Sequence, residues 1–197
     1  MTRRTLVVFA KAPVLGRVKS RLAAGIGAGA ALAFYRRTLA GLLRRVARDP
    51  RWRTVLAVTP DRAAYSARLW PMRLPRQEQG RGDLGVRMGR VLERGPAGQV
   101  LIVGSDIPDV TAALVWRGFR GLGDADAVFG PARDGGYWLV GARRGTRLRG
   151  MFARVRWSSA HALADTLGNL KHRRIALLAE LDDIDDAAAL RRWRASS

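Results

Sequence analysis

Carboxylates that could hold a divalent cation stand at two places in the chain. Asp106 follows the apolar run at residues 99–104, and five of the 16 Asp and Glu residues fall within residues 180–186. Like charges so close together repel one another unless a cation or a basic neighbour offsets them. Mg²⁺ in proteins prefers one or two carboxylates plus phosphates to a cage made by the protein alone. Asp106 together with Asp183 or Asp185 is therefore a candidate metal site.

Structural interpretations of these acidic residues stay open beside the metal hypothesis. Asp106 could instead form an Asx turn at the end of its strand. Asp109 is placed to cap a helix that starts near Thr111, and Asp186 to cap the last helix of the chain. The other acids near residue 180 could be solvated or paired with Arg.

A basic loop after the first apolar run is a candidate phosphate site. The run at residues 5–10 is followed by Lys11, Gly16, Lys19 and Arg21. A loop that enters a helix with several cations and a glycine for close backbone approach suits phosphate oxygens. The chain has 36 Lys and Arg residues, only three of which are Lys, and two of those three lie in this loop. A guanidinium does not replace the compact ammonium group sterically, so the choice of Lys favours a binding role, with chance placement as the alternative.

Two Gly-rich segments add candidate contacts for the other parts of a substrate. Gly135 and Gly136 follow Asp134 between two predicted strands, where they allow close approach of a ligand or serve a tight turn. Asp134 could orient a hydroxyl group of an acceptor or act as a base. Gly82 and Asp83 precede another predicted helix and could contact a nucleotide, although capping by Asp83 explains most of this pattern.

Alternating strands and helices must position these loops. The apolar patterns predict strands at residues 5–10, 53–59, 99–104, 125–131, 137–142 and 174–179. They predict helices at residues 28–48, 83–92, 111–121, 186–194, and from Ser158 or Ser159 to about residue 171. Continuous apolar strands between helices indicate an α/β fold with a mostly parallel sheet covered on both faces, in a single domain over residues 1–197. Ligands bind such sheets outside the carboxyl ends of the strands.

Composition and charge exclude several kinds of site. With no Cys, the chain has no disulfides, thiolate metal ligands or cysteine nucleophile. The net charge of +20 invites a nucleic-acid interpretation, but the basic residues are scattered from Arg3 to Arg194 without a run of five. The amino-terminal apolar run is too short for a secretory segment, and no run approaches the ~20 residues of a membrane helix. We therefore expect a cytoplasmic protein without a membrane span, for which nucleic acid is a disfavoured partner.

Five motifs, in order along almost the whole chain, resemble a known family. They are FAKAPxxGxVKSRL at residues 9–22, QGxGDLGxRM at 79–88, GSDxP at 104–108, DGGYWLVG at 134–141 and DID at 183–185. The family is the bacterial radical-SAM/selenodomain-associated transferases, also described as glycosyltransferases of arsenosugar biosynthesis. It is similar to the GT-A nucleotide-diphospho-sugar transferase superfamily, which includes molybdenum-cofactor and phospholactate guanylyltransferases. The resemblance implies a three-layer α/β/α domain with a mixed, mainly parallel sheet.

The resemblance also implies roles for individual residues. Lys19 and Arg21 match the basic loop that contacts phosphate, Asp106 the metal-binding aspartate, and Asp185 the second metal aspartate. Where the family has Thr-Pro after that second aspartate, this chain has Asp-Ala. The choice between Asp183 and Asp185 therefore stays open.

The leading functional hypothesis is a transferase that depends on Mg²⁺ or Mn²⁺ and acts on a small-molecule acceptor. In one version it transfers a sugar from a nucleotide-sugar and releases a nucleoside diphosphate. In the other it transfers a nucleotidyl group from a triphosphate and releases pyrophosphate. Lys19, Asp106 and Asp134 would carry the chemistry, and catalysis would consist mainly of orientation and electrostatic stabilisation. The alternatives from other classes are a basic nucleic-acid-binding protein and a scaffold that binds a partner without catalysis.

Overall fold

A seven-stranded sheet between two layers of helices forms the framework of the protein. The computed structural model describes residues 3–94, 97–146, 148 and 150–196. The strands are β1 (Arg4–Lys11), β2 (Arg53–Thr59), β3 (Arg76–Glu78), β4 (Gln99–Gly104), β5 (Ala127–Pro131), β6 (Tyr137–Arg143) and β7 (Ile175–Leu177). The helices are α1 (Ser20–Ile26), α2 (Ala28–Val46), α3 (Leu84–Arg94), α4 (Ala112–Gly121), α5 (Ala162–Gly168) and α6 (Ala187–Ser196).

The sheet is mixed, with one antiparallel strand in its interior. Its order is β3-β2-β1-β4-β6-β5-β7. Strand β6 is antiparallel to β4 and β5, and every other pair is parallel. The connection from β5 to β6 is a short turn, which can join antiparallel strands but not parallel ones. The predicted α/β class with a mixed, mainly parallel sheet is confirmed.

Alternating side chains of the central strands divide the core between the two faces of the sheet. Leu6 and Val8 of β1 pack with α2 and α4 on one face, whereas Val7 packs with α3 on the other. All three are almost completely buried. A smaller apolar cluster joins α1, α2 and α6 beside the sheet and includes Leu22 and Ile184. Strands buried on both faces explain why their sequences are continuously apolar.

One predicted helix cap and one predicted helix start are wrong. Asp109 does not cap α4, because the Thr111 hydroxyl accepts the capping hydrogen bond from the Leu114 amide at 3.2 Å. Its carboxylate instead accepts a hydrogen bond from the Trp193 indole. The helix predicted from Ser158 or Ser159 begins at Ala162, since residues 156–160 form turns in which the Ser159 hydroxyl donates to a backbone carbonyl.

Sequence patterns predicted the start of α2 at residue 28 correctly but missed the short helix before it. Residues 20–26 form the separate helix α1, and Gly27 then adopts a φ of +84° before α2 begins. This left-handed conformation favours glycine and ends the first helix. After β2, residues 61–65 form a short 3₁₀ helix.

Candidate active site

The strand order places the candidate loops at one edge of the sheet. Strand β1 lies between β2 and β4, so successive connections from the centre run toward opposite sides of the sheet. The carboxyl ends of β1 and β4 are neighbours, since Phe9 pairs with Gly104. Such a reversal of strand order leaves a crevice outside the strand ends where ligands bind in α/β proteins. Both the basic loop after β1 and the Asp106 loop after β4 begin there.

Three carboxylates surround the ammonium group of Lys19 in this crevice. The Nζ atom lies 2.9 Å from Asp106 Oδ2, 3.0 Å from Asp183 Oδ1 and 2.6 Å from Asp185 Oδ1. The Lys19 side chain is only 4% exposed. Its backbone has φ 48° and ψ 51°, a left-handed conformation at the start of α1 that non-glycine residues adopt uncommonly. We call Asp106, Asp183 and Asp185 the acidic triad.

Burial of Ile184 explains why both flanking aspartates face the same crevice. Ile184 is fully buried in the apolar cluster of α1, α2 and α6. In an extended segment, residues two apart point to the same side. Fixing Ile184 inward therefore directs Asp183 and Asp185 together toward Lys19. Sequence reasoning left these two aspartates as alternatives, and the structure brings both to the site.

Tyr35 of α2 ties the two strand ends together beneath the triad. Its hydroxyl donates to the Lys11 carbonyl at 2.8 Å, accepts from the Lys11 amide at 2.9 Å, and lies 3.0 Å from the Ser105 hydroxyl. Tyr35 is 3% exposed, and Ser105 directly precedes Asp106. Burial raises the pKa of Tyr35 to about 12, so the hydroxyl stays neutral. Sequence analysis missed this residue because its position on the apolar face of α2 resembles that of an ordinary core residue.

The electrostatics of the triad favour a bound cation. Burial alone would lower the pKa of Lys19, but the nearby Asp106, Asp183 and Asp185 outweigh it and hold the pKa above its ordinary value. For Asp183, burial and the neighbouring Asp106 raise the pKa to about 7 even though Lys19 opposes the shift. One ammonium group therefore offsets the repulsion among three carboxylates only in part.

The donor set of the triad fits a hard divalent cation. One carboxylate oxygen from each of the three aspartates can be chosen so that all lie within 4.8 Å of one another. Carboxylate oxygens are the ligands that Mg²⁺ and Mn²⁺ prefer. The Lys19 ammonium already occupies the space between them as a cation belonging to the chain itself. The acidic triad could therefore hold a metal.

Two cavities open on either side of Asp106. The smaller, of about 210 Å³, is lined by residues of the β1 and β2 ends, including Lys11, Thr59 and Gln79. The larger, of about 380 Å³, lies toward β6 and is lined by Asp134 and Trp157, among others. We call them the β1 cavity and the β6 cavity. A substrate that spans both would pass across the acidic triad.

The predicted phosphate residues are divided between the two cavities: Lys11 and Lys19 line the β1 cavity, Arg21 lines the β6 cavity, and Gly16 lines neither. The Lys11 side chain is exposed at the rim of the β1 cavity, whereas Lys19 is buried in the triad. Gly16 has a φ of +71° with open space around it, as a turn beside a ligand requires. Arg21 is 72% exposed and forms a close ion pair with Asp185.

The predicted nucleotide contacts at Gly82 and Asp83 are not brought to either cavity. The Asp83 carboxylate accepts a hydrogen bond from the Val86 amide at 2.8 Å and so caps α3, as its structural interpretation predicted. Gly82 has a φ of +110° in the turn before this helix. The preceding Gln79 does reach the β1 cavity, where Arg87 donates to its amide oxygen at 2.7 Å.

The Asp134 turn forms one wall of the β6 cavity. The Asp134 carboxylate accepts a hydrogen bond from the Gly136 amide at 2.9 Å, which fixes the turn. Gly135 has a φ of +83°, and a Cβ there would lie 2.2 Å from the Ala160 carbonyl oxygen. Only glycine allows this close packing of the turn against the segment before α5. Trp157 of that segment lines the same cavity and carried no sequence signal that separated it from the other five Trp residues.

Solved structures similar to this chain include one described as a transferase and two described as synthases. A protein from Desulfovibrio desulfuricans G20, described as a "putative nucleotide-diphospho-sugar transferase", matches with 28% identity and a TM-score of 0.87, covering 100% of this chain and 88% of that chain. The 4-diphosphocytidyl-2C-methyl-D-erythritol synthase of Anaerococcus prevotii is 13% identical with a TM-score of 0.61, over 99% and 98% of the two chains. The glucosyl-3-phosphoglycerate synthase of Mycobacterium tuberculosis, solved with Mn²⁺ and uridine diphosphate, is 12% identical with a TM-score of 0.54, over 92% and 71%.

These similarities define the fold of the protein as nucleotide-sugar transferase-like α/β, and the similarity to the Desulfovibrio protein supports the predicted enzyme class, a transferase. The chain belongs to the family "Uncharacterized protein conserved in bacteria (DUF2064)", whose sequence profile matches residues 42–159. Among curated proteins, no sequence matches this chain. Within the described residues, no helix combines the length and apolar character needed to cross a membrane.

Proposed function

We propose that this protein is a transferase that uses a divalent cation and a nucleotide-sugar donor to glycosylate a small-molecule acceptor. The observation that carries the proposal is the acidic triad at the reversal of strand order, between two cavities. The similarity to the Desulfovibrio protein supports the donor class. The narrower assignment to the radical-SAM-associated branch rests on the five motifs alone.

The β1 cavity suits the nucleotide part of the donor. Exposed Lys11 lines this cavity and Arg21 lies at the β6 cavity beside the triad, so both are placed to neutralise the phosphate charge of a donor that crosses the crevice. The Gly16 turn after β1 leaves room for backbone approach. Lys19 would contribute a third positive charge, because a metal held by the triad would compete with its ammonium for the carboxylates. Asp106, Asp183 and Asp185 would hold Mg²⁺ or Mn²⁺. When bound, the cation would supply positive charge to stabilise the departing phosphate oxygens.

Asp134 is the candidate base on the acceptor side. In glycosyl transfer, the acceptor oxygen forms a bond to the anomeric carbon of the sugar while the bond from that carbon to the diphosphate oxygen breaks. The electron pair of the broken bond leaves with the nucleoside diphosphate, and the acceptor proton passes to Asp134. Its carboxylate is fixed by the Gly136 amide and lines the β6 cavity, where an acceptor hydroxyl can reach it.

Nucleotidyl transfer is the second candidate, because the crevice carries several cations. Lys11, Lys19 and Arg21 provide more positive charge than a diphosphate needs, and a triphosphate would use all three. In that reaction the acceptor oxygen attacks the α-phosphorus and pyrophosphate leaves. The two candidates therefore differ in the leaving group.

The test identifies that leaving group. Purified protein with Mn²⁺ is titrated with nucleotide-sugars and with each nucleoside triphosphate, and products are resolved by anion-exchange chromatography. We expect metal-dependent binding and release of a nucleoside diphosphate. Asp106→Asn should abolish the metal-dependent binding, whereas Asp109→Asn should retain it, because Asp109 contacts Trp193 outside the triad. Release of pyrophosphate would favour the second candidate, and no nucleotide binding with Mn²⁺ present would refute both.

A further inference from the structure

We infer that the acceptor held in the β6 cavity is an uncharged molecule that carries hydroxyl groups and an apolar face. This inference rests on the proposed function, because it assigns the acceptor class of the same transferase. It excludes acceptors recognised through a phosphate or a carboxylate. The charges on the cavity wall, the pairing of the nearby cations and one fixed aromatic ring support it.

The wall of the β6 cavity is acidic although the chain as a whole is strongly basic. Asp106, Asp134 and Asp185 line it. Arg21 is the single Lys or Arg among its described lining residues, and it is already paired with Asp185. An anionic acceptor would meet these carboxylates without a free cation to offset them. A metal in the triad would reduce the repulsion, but its charge is shared with the donor phosphates.

The cations that flank this cavity are also paired with carboxylates. Arg133, next to Asp134, lies 3.6 Å from Glu180 and 3.4 Å from Asp182. Arg156, next to Trp157, forms an ion pair of 2.8 Å with Asp165.

Both flanking arginines therefore already face carboxylates, which weakens the attraction that either would exert on an acceptor anion. In a chain with a net charge of +20, a cavity lined by three aspartates and one paired arginine is a specific feature of this surface. Charge complementarity of this kind decides specificity more than affinity.

Trp157 supplies a fixed apolar surface in the same cavity. Its ring packs against Phe152 at 5.9 Å and Tyr137 at 6.4 Å between centroids. A Cβ on Gly85 of α3 would lie 2.6 Å from the Trp157 ring, so the absence of a side chain at this position is what lets the ring sit there. A rigid aromatic face suits the C–H face of a sugar-like or alkyl group.

Polar groups line the same cavity as the aromatic ring. Asp134 and Ser158 can bond to hydroxyl groups of a ligand. The cavity volume of about 380 Å³ fits a small molecule. A lining that combines acidic and hydroxyl side chains with an aromatic ring matches a neutral polyol or sugar better than an organic phosphate.

The test compares neutral compounds with their phosphate esters. Saturation-transfer NMR is recorded on the Mg²⁺-loaded protein, with and without the donor nucleotide, for glycerol, ribose and glucose and for the corresponding phosphate esters at 150 mM salt. We expect the neutral member of at least one pair to give about fivefold more saturation transfer than its ester. Trp157→Leu, checked for an intact melting transition, should remove that signal.

An added charge gives a second, independent variant. Ser158→Arg places a cation in the cavity and should shift the preference toward the phosphate ester by about fivefold or more. Ala67→Arg adds the same charge at an exposed position outside the cavity and should change nothing. Stronger transfer to the esters in the unaltered protein, no transfer to any neutral compound, or no effect of Ser158→Arg would each overturn the inference. Metal-dependent nucleotide binding that persists in those cases would leave the proposed function standing.

Discussion

Lys19 lies at the centre of the acidic triad. Its ammonium lies within 3.0 Å of all three triad carboxylates and is almost inaccessible to solvent. A metal at the triad must compete with this ammonium for the same oxygens. The residue therefore stabilises the metal-free protein and weakens metal binding at the same time.

Replacing Lys19 should separate these two effects. In Lys19→Met the three carboxylates lose their compensating charge, so we expect a lower Tm in EDTA and an Mn²⁺ affinity raised by about tenfold, equivalent to about 1.4 kcal/mol. Mn²⁺ binding is measured by electron paramagnetic resonance, and Tm by circular dichroism. Lys171→Met, at an exposed lysine, is the matched control and should alter neither. Weaker Mn²⁺ binding by Lys19→Met would show that Lys19 assists the metal rather than competes with it.

Asp183 makes the metal-free protein sensitive to pH. The folded-state pKa of Asp183 is raised to about 7, so ionisation of this carboxyl is less favourable in the folded protein than in the unfolded chain. Ionisation therefore lowers the free energy of unfolding. This loss in the free energy of unfolding is absent below about pH 4. It grows as the pH rises from about 4 to about 7 and reaches its full size above that range. Asn cannot ionise, so Asp183→Asn should be more stable than the natural chain at pH 8 and similar at pH 4.5.

The expected difference at pH 8 is about 4 kcal/mol, or about 8–16 °C in Tm, in the presence of EDTA. Adding Mn²⁺ should reverse the order, since Asn is a poorer ligand than a carboxylate. Asp182→Asn serves as the control, because Asp182 pairs with Arg133 outside the triad. A difference in Tm that does not change with pH would contradict the assignment.

At the scale of elements, α2 holds the crevice in shape through one hydroxyl group. Tyr35 connects the helix to the ends of β1 and β4, and thereby to the backbone next to Asp106. Tyr35→Phe removes these hydrogen bonds from a buried position, where unsatisfied groups cost about 1–3 kcal/mol. We expect the Tm to fall by about 2–8 °C. We expect the Mn²⁺ affinity to fall by about tenfold, because Tyr35 no longer holds the backbone next to the candidate metal ligand Asp106.

Tyr65→Phe is the matched control for this change. Tyr65 is 79% exposed, and its hydroxyl donates to Glu78 at the surface. We expect its removal to change stability by less than about 0.5 kcal/mol. The stability of both variants is measured by thermal unfolding, and their Mn²⁺ affinity by calorimetric titration. Equal effects of the two changes would show that Tyr35 has no particular role at the metal site.

At the scale of the whole molecule, we expect the net charge of +20 to attract polyanions independently of the crevice. Scattered Arg residues attract polyanions through counterion release, and such binding weakens steeply with salt. We expect affinity for a labelled 20-bp duplex, measured by fluorescence anisotropy, to fall by about 10²-fold or more between 50 and 200 mM salt. Asp106→Asn should leave this binding unchanged while abolishing Mn²⁺-dependent nucleotide binding. Tight duplex binding that survives high salt would support the nucleic-acid alternative instead.

Local sequence patterns predicted most elements and several of their ends. The apolar runs gave the strands at residues 5–10, 53–59 and 99–104, and capping by Asp83 and Asp186 is confirmed at α3 and α6. Patterns failed where short segments settle the outcome, as at the missed helix α1 and the late start of α5. Propensity is a weak signal over such short segments.

The sequence by itself determined the α/β class and the residue types available for chemistry, because periodicity and strand-end loops are local properties. The order of the strands in the sheet is not local. It brings Lys19, from the first loop, to aspartates that are 164 and 166 positions away in the chain. Only the tertiary structure showed that Asp183 and Asp185 both join Asp106, that a lysine occupies the space between them, and that Trp157 faces the neighbouring cavity. Each of these depends on packing between distant segments, and in particular on the burial of Ile184, which a linear pattern does not specify.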